Sequence, residues 1–256
     1  MRLGVEVVGT TTRPERTSEI EGVGARAAVL TVADPRLLSA ALEGADTVFV
    51  TLAAGRGGDY REVYVEGLRS VVGALDLRTA RQVLYTSATS VYGEDEGGWV
   101  DGDTAPEPQS ERGRLLVEAE GLLLEGAGRA AVGALVLRLA GIWGPGREPS
   151  SWMQRRGPVI PGDGTGYLNL VHRDDAVSAL LAAAERRVCG TLALADDRPQ
   201  RRRDLYPALA AKLGVPAPRF ADAPADPGRG TGKRVSNAKA LKALGISLAF
   251  PEGPPR

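Results

Sequence analysis

The chain has 256 residues, enough for one domain with an added lobe, and its 43% hydrophobic and 25% charged residues are ordinary globular composition. Thirty-two basic side chains balance 32 acidic ones, which leaves no net field to attract polyanions and argues against nucleic acid as a partner. Apolar runs such as 130–140 fall far short of the roughly 20 residues that span a bilayer, so no membrane partner is expected. A single cysteine, Cys189, and no signal-like opening set a cytoplasmic location as the default. In chain order, β-branched runs at Val5–Val8, Ala28–Leu30, Thr47–Val50, Gln82–Tyr85 and Ala134–Leu137 predict strands. Helical patterns fall between them at about 35–43, 59–75 and 109–125, with Val63, Val65, Leu68, Val71, Val72 and Leu75 at the mainly helical spacing of a crossover helix. After Trp143 the chain turns to Gly and Pro-rich connections with shorter elements at 167–171, 174–184 and 191–195, and the Pro-rich tail 250–256 reads as extended.

Nearly continuous apolar strands alternating with helices predict an α/β fold, a Rossmann-like doubly wound parallel sheet, with a core over residues 1–143 and a smaller C-terminal substrate lobe over 144–256. Such a fold opens with a strand and a glycine-rich turn whose following helix binds a pyrophosphate. Here the first strand, Gly4 to Gly9, runs into Thr10-Thr11-Thr12-Arg13-Pro14-Glu15-Arg16, which reads as the second strand of that order, and Met1 to Gly4 reads as the end of a preceding helix with its glycine cap. The first βα unit is then absent, and a gap between the second and fourth strands is expected. Two readings follow: the true start lies some tens of residues upstream, or the sheet closes up. The first is favoured because every later element keeps the pattern of an intact domain. The run Gly228 to Lys233 is no substitute phosphate loop, since Pro227 stands where its first glycine would be and Arg234 follows the lysine.

Four segments carry a family resemblance. Val83-Leu84-Tyr85-Thr86-Ser87-Ala88-Thr89-Ser90-Val91-Tyr92-Gly93 resembles the S-S-x-x-V-Y-G stretch of extended short-chain dehydrogenase/reductases of the NAD-dependent epimerase/dehydratase type. Leu137-Arg138 through Trp143-Gly144-Pro145-Gly146 is similar to that family's L-R-x-x-x-x-Y-G-P-G, and Val171-His172-Arg173-Asp174-Asp175 to its V-H-V-D-D, while Ser236 to Gly245 matches a late S-x-x-K-x-x-x-x-L-G. The resemblance implies a catalytic Ser/Thr, Tyr and Lys; the positions that match them hold Ala88, Arg112 and Leu116. No lysine precedes Lys212 and no tyrosine lies between Tyr92 and Tyr167, so no shift of register restores the pair. An arginine stays protonated and is a poor general acid near neutral pH. The chain thus resembles atypical members of the family, and the resemblance implies a homodimer.

Single residues have two readings each. Thr12 and Arg13, with Arg16, follow the second strand where NADP's 2′-phosphate would lie, which points to NADP ahead of NAD, or else they are solvated loop residues. Asp34 resembles the family's adenine-binding residue, and Asp34-Pro35 is equally a helix start. Leu52, Ala53 and Ala54 are small or apolar enough to let a dinucleotide backbone approach, or are simple turn packing. Ser87 completes the expected cofactor set. Thr89, Ser90, Tyr92, Arg112 and Gly141 are the groups expected to face a substrate cleft, with packing the other reading for Tyr92. His172 reads as a structural histidine in place of an acid/base pair with Asp174 or Asp175. No cluster has metal-ligand spacing. The functional expectations are an enzyme acting on a small molecule or nucleotide-linked sugar with non-standard catalytic groups, a cofactor-binding sensor or scaffold without turnover, or an inactive product that neither binds nor catalyses.

Overall fold

The computed structural model describes residues 4–55, 57–93, 96–148, 159–160, 162–221 and 232–254. In chain order it contains β1 (Val8–Thr11), α1 (Thr17–Gly22), β2 (Arg26–Val29), α2 (Pro35–Leu42), β3 (Thr47–Val50), a π-helical turn (Arg61–Glu66) running into α3 (Gly67–Gly73), β4 (Gln82–Ala88), β5 (Trp99–Val100), α4 (Glu111–Arg129), β6 (Gly133–Leu139) and β7 (Gly141–Trp143). The second half adds β8 (Val159–Ile160), β9 (Tyr167–Leu168), β10 (Leu170–His172), α5 (Arg173–Glu185), β11 (Gly190–Leu194), β12 (Gln200–Arg201), α6 (Arg202–Leu213), β13 (Arg219–Phe220), β14 (Arg234–Val235) and α7 (Ala238–Leu244).

A four-stranded parallel sheet in the order β11-β6-β4-β3 forms the centre. Its strands are apolar on both faces because helices cover both. On β4, the Gln82 side chain reaches the Ala183 carbonyl of α5, whereas Ser87, on the opposite face, reaches Glu120 of α4. That two-sided cover makes the fold doubly wound and Rossmann-like. Leu68, Val83, Leu84, Ala119, Leu123, Leu135, Val136 and Leu137 are fully buried in the core cluster this creates.

β1 and β2 pair with each other in parallel, in a separate two-stranded sheet, and among the described residues no strand is hydrogen-bonded between β1 and β3. This is the separation expected from the element order. A second apolar cluster, Trp143, Ile160, Leu170, Leu205, Tyr206 and Leu209, sits beneath α6. Among the described residues no helix is long and apolar enough to cross a membrane.

Three expectations change. The first strand begins at Val8, three residues late, so that Thr10 and Thr11 belong to it and Val5 to Val7 do not. The tail is not extended: Phe250 to Gly253 forms a turn closed by the Gly253 N–H on the Phe250 carbonyl, with Gly253 at φ +71°. Asp175 holds that turn by accepting from the Ala249 and Phe250 amides at 2.7 and 3.1 Å, and Phe250 stacks on His172 with centroids 3.6 Å apart. The expected 59–75 helix is a π turn followed by α3, not one regular α-helix. Met1 to Leu3 and Gly228 to Thr231 lie outside the described residues, although Gly4 has the left-handed φ of +65° that a glycine cap takes. The lone Cys189 is exposed just before β11.

Candidate functional site

In a parallel α/β sheet, ligands bind beyond the carboxyl ends of the strands. At the end of β4 the chain makes a short 3-10 turn, Thr89–Val91, and α4 begins close beside it. The approach is enforced by Gly113, in the first turn of α4, where an added Cβ would lie 2.9 Å from the Ser90 carbonyl oxygen and 2.8 Å from Pro108 Cβ. Ser110 starts the helix by accepting the Gly113 amide on its hydroxyl at 3.1 Å. The first turn of α4, with Arg112, is thereby brought beside the Thr89–Val91 turn.

Arg112 is exposed, and its guanidinium lies 5.7 Å from the Tyr60 ring and 5.9 Å from the Tyr64 ring, which are themselves stacked at 6.0 Å. Its Nη2 donates to Tyr64 Oη at 3.4 Å. The π turn sets Tyr60 and Tyr64 where they meet α4, and Arg61 ties the same turn to α4 by a bidentate pair with Glu118 at 2.9 Å for both contacts. Behind them the Tyr85 hydroxyl is buried with no hydrogen-bond partner among the described residues. Burial first, then the Glu120 charge, push its phenol well above the ordinary value, so it stays protonated.

A buried ion pair also joins α4 to the sheet. Arg138 of β6 and Glu120 of α4 meet at 2.7 Å with both side chains about 95% buried, at 6% and 5% exposure. Ser87 donates to the same carboxylate at 2.5 Å, Arg138 Nη1 donates to the Thr104 carbonyl at 3.3 Å, and the guanidinium lies 4.9 Å from the Tyr92 ring. Burial alone would lower the Arg138 pKa; the hydrogen bond and charge of Glu120 outweigh it and raise it. Glu120 was not legible as a site residue, since a glutamate in a helical pattern reads as solvated. Arg138 inside an apolar strand was the available signal, because a buried cation requires a partner.

The remaining predicted residues are placed as follows. Ser87 is buried and its hydroxyl is engaged by Glu120, and Tyr92 is buried and donates to the Asp101 carbonyl at 2.5 Å. Gly141 opens β7, paired in register with Leu170. Thr12 and Arg13 are exposed after β1, while Arg16 is paired with Glu19 at 2.7 Å. Asp34 caps α2, accepting from Arg36 and Leu37 amides at 3.0 and 3.1 Å, and also borders an open recess of about 520 Å³ lined by Thr31, Ala33, Pro35 and Arg36. Leu52, Ala53 and Ala54 follow β3, with Leu52 packed towards Gly67 of α3. His172 is buried, its Nδ1 accepting the Asp174 amide at 3.2 Å, its ring edge-on to Trp143. Among the described residues no group of three His, Cys, Asp or Glu could hold a metal ion.

Known proteins are similar to this chain in sequence and fold. Protein YeeZ of Escherichia coli strain K12 is 32% identical over 214 residues, covering 83% of this chain and 74% of that protein. A functionally unknown conserved protein from Silicibacter pomeroyi DSS superposes with a TM-score of 0.79 at 28% identity, over 98% of this chain and 88% of the other. MoeE5, solved in complex with UDP-glucuronic acid and NAD, matches with a TM-score of 0.79 at 24% identity over 98% of this chain and 89% of its own, which shows the shared fold. The model of the NAD dependent epimerase/dehydratase family matches residues 1–191. With that match across three quarters of its length and the Rossmann-like sheet beneath the site, the chain belongs to the NAD dependent epimerase/dehydratase family.

Proposed function

We propose that this chain binds NAD(P) and acts on a nucleotide-linked sugar or related small molecule, with catalytic groups other than the Ser/Thr, Tyr and Lys that the family resemblance implies. The observation that supports the reading is that, inside the family's fold, α4 starts beside the turn at the end of β4, with Arg112 flanked by Tyr60 and Tyr64. MoeE5 with UDP-glucuronic acid, and with UDP-glucose, supports sugar nucleotides as the substrate class.

The cofactor fit is uneven. Arg13 beyond β1 and the recess beside Asp34 offer groups for the adenosine half. Among the described residues no glycine turn leads a central strand into a helix, so the amide cradle a pyrophosphate needs is not among them. A bound nicotinamide would supply hydride exchange. The chain's own contribution is orientation: Thr89 offers a hydroxyl, Arg112 offers a fixed positive charge, and Glu120 with Arg138 holds Ser87 and the end of β4 in place. Ala88 and Leu116 carry no proton-transfer group, which favours, as the second reading, a sensor that binds without turnover.

Titration with NADH and NADPH, followed by thermal shift, tests the binding. A ligand at 100 times its Kd raises stability by about 2.7 kcal/mol. Saturable binding together with a substrate-dependent change in nicotinamide absorbance supports the enzyme, and binding with no turnover supports the sensor. If neither nucleotide shifts the melt of a cooperatively folding chain, the cofactor reading is lost. Arg13→Ala is expected to erase any preference for NADPH over NADH.

A further inference from the structure

The free polar groups around Arg112 are unusual in kind. Among the described residues the guanidinium has the Tyr64 hydroxyl as its hydrogen-bond partner and no carboxylate in ion-pair range. The acids that could neutralise it are engaged elsewhere: Glu118 by Arg61 in a bidentate pair, and Glu120 by Arg138 and Ser87. Tyr64 accepts from Arg112, which leaves its own hydroxyl hydrogen to donate. The charged group exposed here is therefore a cation with no acidic partner among the described residues.

An exposed guanidinium with no acid beside it complements an anionic group that accepts its hydrogen bonds. The guanidinium is also held in orientation by two parallel tyrosine rings, 3° from coplanar, so less side-chain freedom is lost when it binds. A planar fork fixed in this way matches the two oxygens of a carboxylate, and the bond is charge-assisted. We infer that Arg112, steadied by Tyr60 and joined by the Tyr64 hydroxyl, is a clamp for a carboxylate group of the substrate. This deepens the proposed function and rests on its reading of the end of β4 as the substrate site: the substrate class becomes acids, such as uronic-acid derivatives, and the residue at the family's tyrosine position becomes a binding group.

The test uses the chain alone, without nucleotide. Sodium glucuronate and glucose, which differ at one carbon in carrying a carboxylate or a hydroxyl, are titrated while the arginine Nε–Hε resonances are followed by NMR. The Arg112 signal is assigned by its loss in Arg112→Lys. The expected result is a saturable shift of that signal with glucuronate and none with glucose. Binding measured from the sugar's own resonances should weaken by about tenfold in Arg112→Met and by a smaller factor in Tyr64→Phe. Equal response to both sugars, no saturable response to either, or glucuronate binding unchanged in Arg112→Met overturns the clamp. A melt of each variant confirms folding, and Arg112→Lys, which keeps the charge without the fork, serves if the methionine variant does not fold. Because the NADPH titration is separate, loss of nucleotide binding with glucuronate discrimination retained defeats the cofactor reading, and the converse defeats the clamp.

Discussion

Two buried charged side chains define what single residues do here. Arg138 and Glu120 complete each other, and removing one partner leaves an uncompensated charge in the core. Glu120→Ala is expected to lower the unfolding free energy by about 3–5 kcal/mol, measured by urea denaturation, and a loss below about 1 kcal/mol would show that the pair is solvated. Asp196 is a different case. It is 2% exposed, its Oδ2 has no partner among the described residues, and burial pushes its carboxyl up to about 7. A carboxyl whose folded-state pKa lies above its unfolded value of 3.8 contributes stability that is complete below about pH 4 and is lost as pH rises through about 7. The gap of about three units corresponds to an upper figure on the order of 4 kcal/mol. Asp196→Asn should therefore gain stability relative to the parent between pH 4 and 8. Melts across that range would show parallel curves if the site is neutral to folding. Neither Glu120 nor Asp196 was legible in the sequence, because burial of a carboxylate depends on what the fold stacks above it. Arg112, by contrast, was singled out in the sequence because residues 108–116 match the family's P-x-S-x-Y-G-x-x-K with Arg112 at the tyrosine position.

The elements show where pattern suffices and where it fails. β3 falls on Thr47–Val50 as read, since four residues suited to a strand bounded by Asp46 and Thr51 leave little choice. α4 starts at Glu111 because Ser110 caps it, and ends at Arg129, four residues beyond the periodic pattern. α6 went unread: Pro207 lies inside it, and a proline in a helical pattern normally marks a break. The fold tolerates it in the first half of a helix whose Leu205, Tyr206 and Leu209 pack the second apolar cluster. The joint between β4 and α4 offers a direct check. Gly113→Val places a branched side chain 2.9 Å from the Ser90 carbonyl, so α4 must move, and a loss of about 1–3 kcal/mol is expected. Unchanged stability would mean that the helix stands further from the turn. The π turn was not legible either, since Arg61 to Glu66 has the composition of any amphipathic helix.

At the scale of the whole molecule, the β11-β6-β4-β3 sheet is a single buried unit, whereas β1 and β2 hold to each other and leave edges unpaired among the described residues. Stability is then uneven. Amide hydrogen exchange should give the highest protection in β4 and β6 and markedly less in β1 and β2, and NADPH should raise protection in β1 and β2 if Arg13 and the Asp34 recess contact it. Uniform protection would show that the two sheets open together. The separation was read from element order alone, but the seating of the C-terminal turn on Asp175 and His172 was not, because it joins residues about 75 apart by backbone amides that carry no sequence mark. One further feature follows from the chain's single thiol. Cys189 is exposed immediately before β11, at the end of the parallel sheet opposite the carboxyl end of β4 that leads into Thr89. The molecule therefore has a built-in point of attachment: one dye per polypeptide, or one tether to a surface, can be placed with no engineering and with the carboxyl ends of the central strands left open to solution. Energy transfer between two such dyes would then report whether copies of the chain pair.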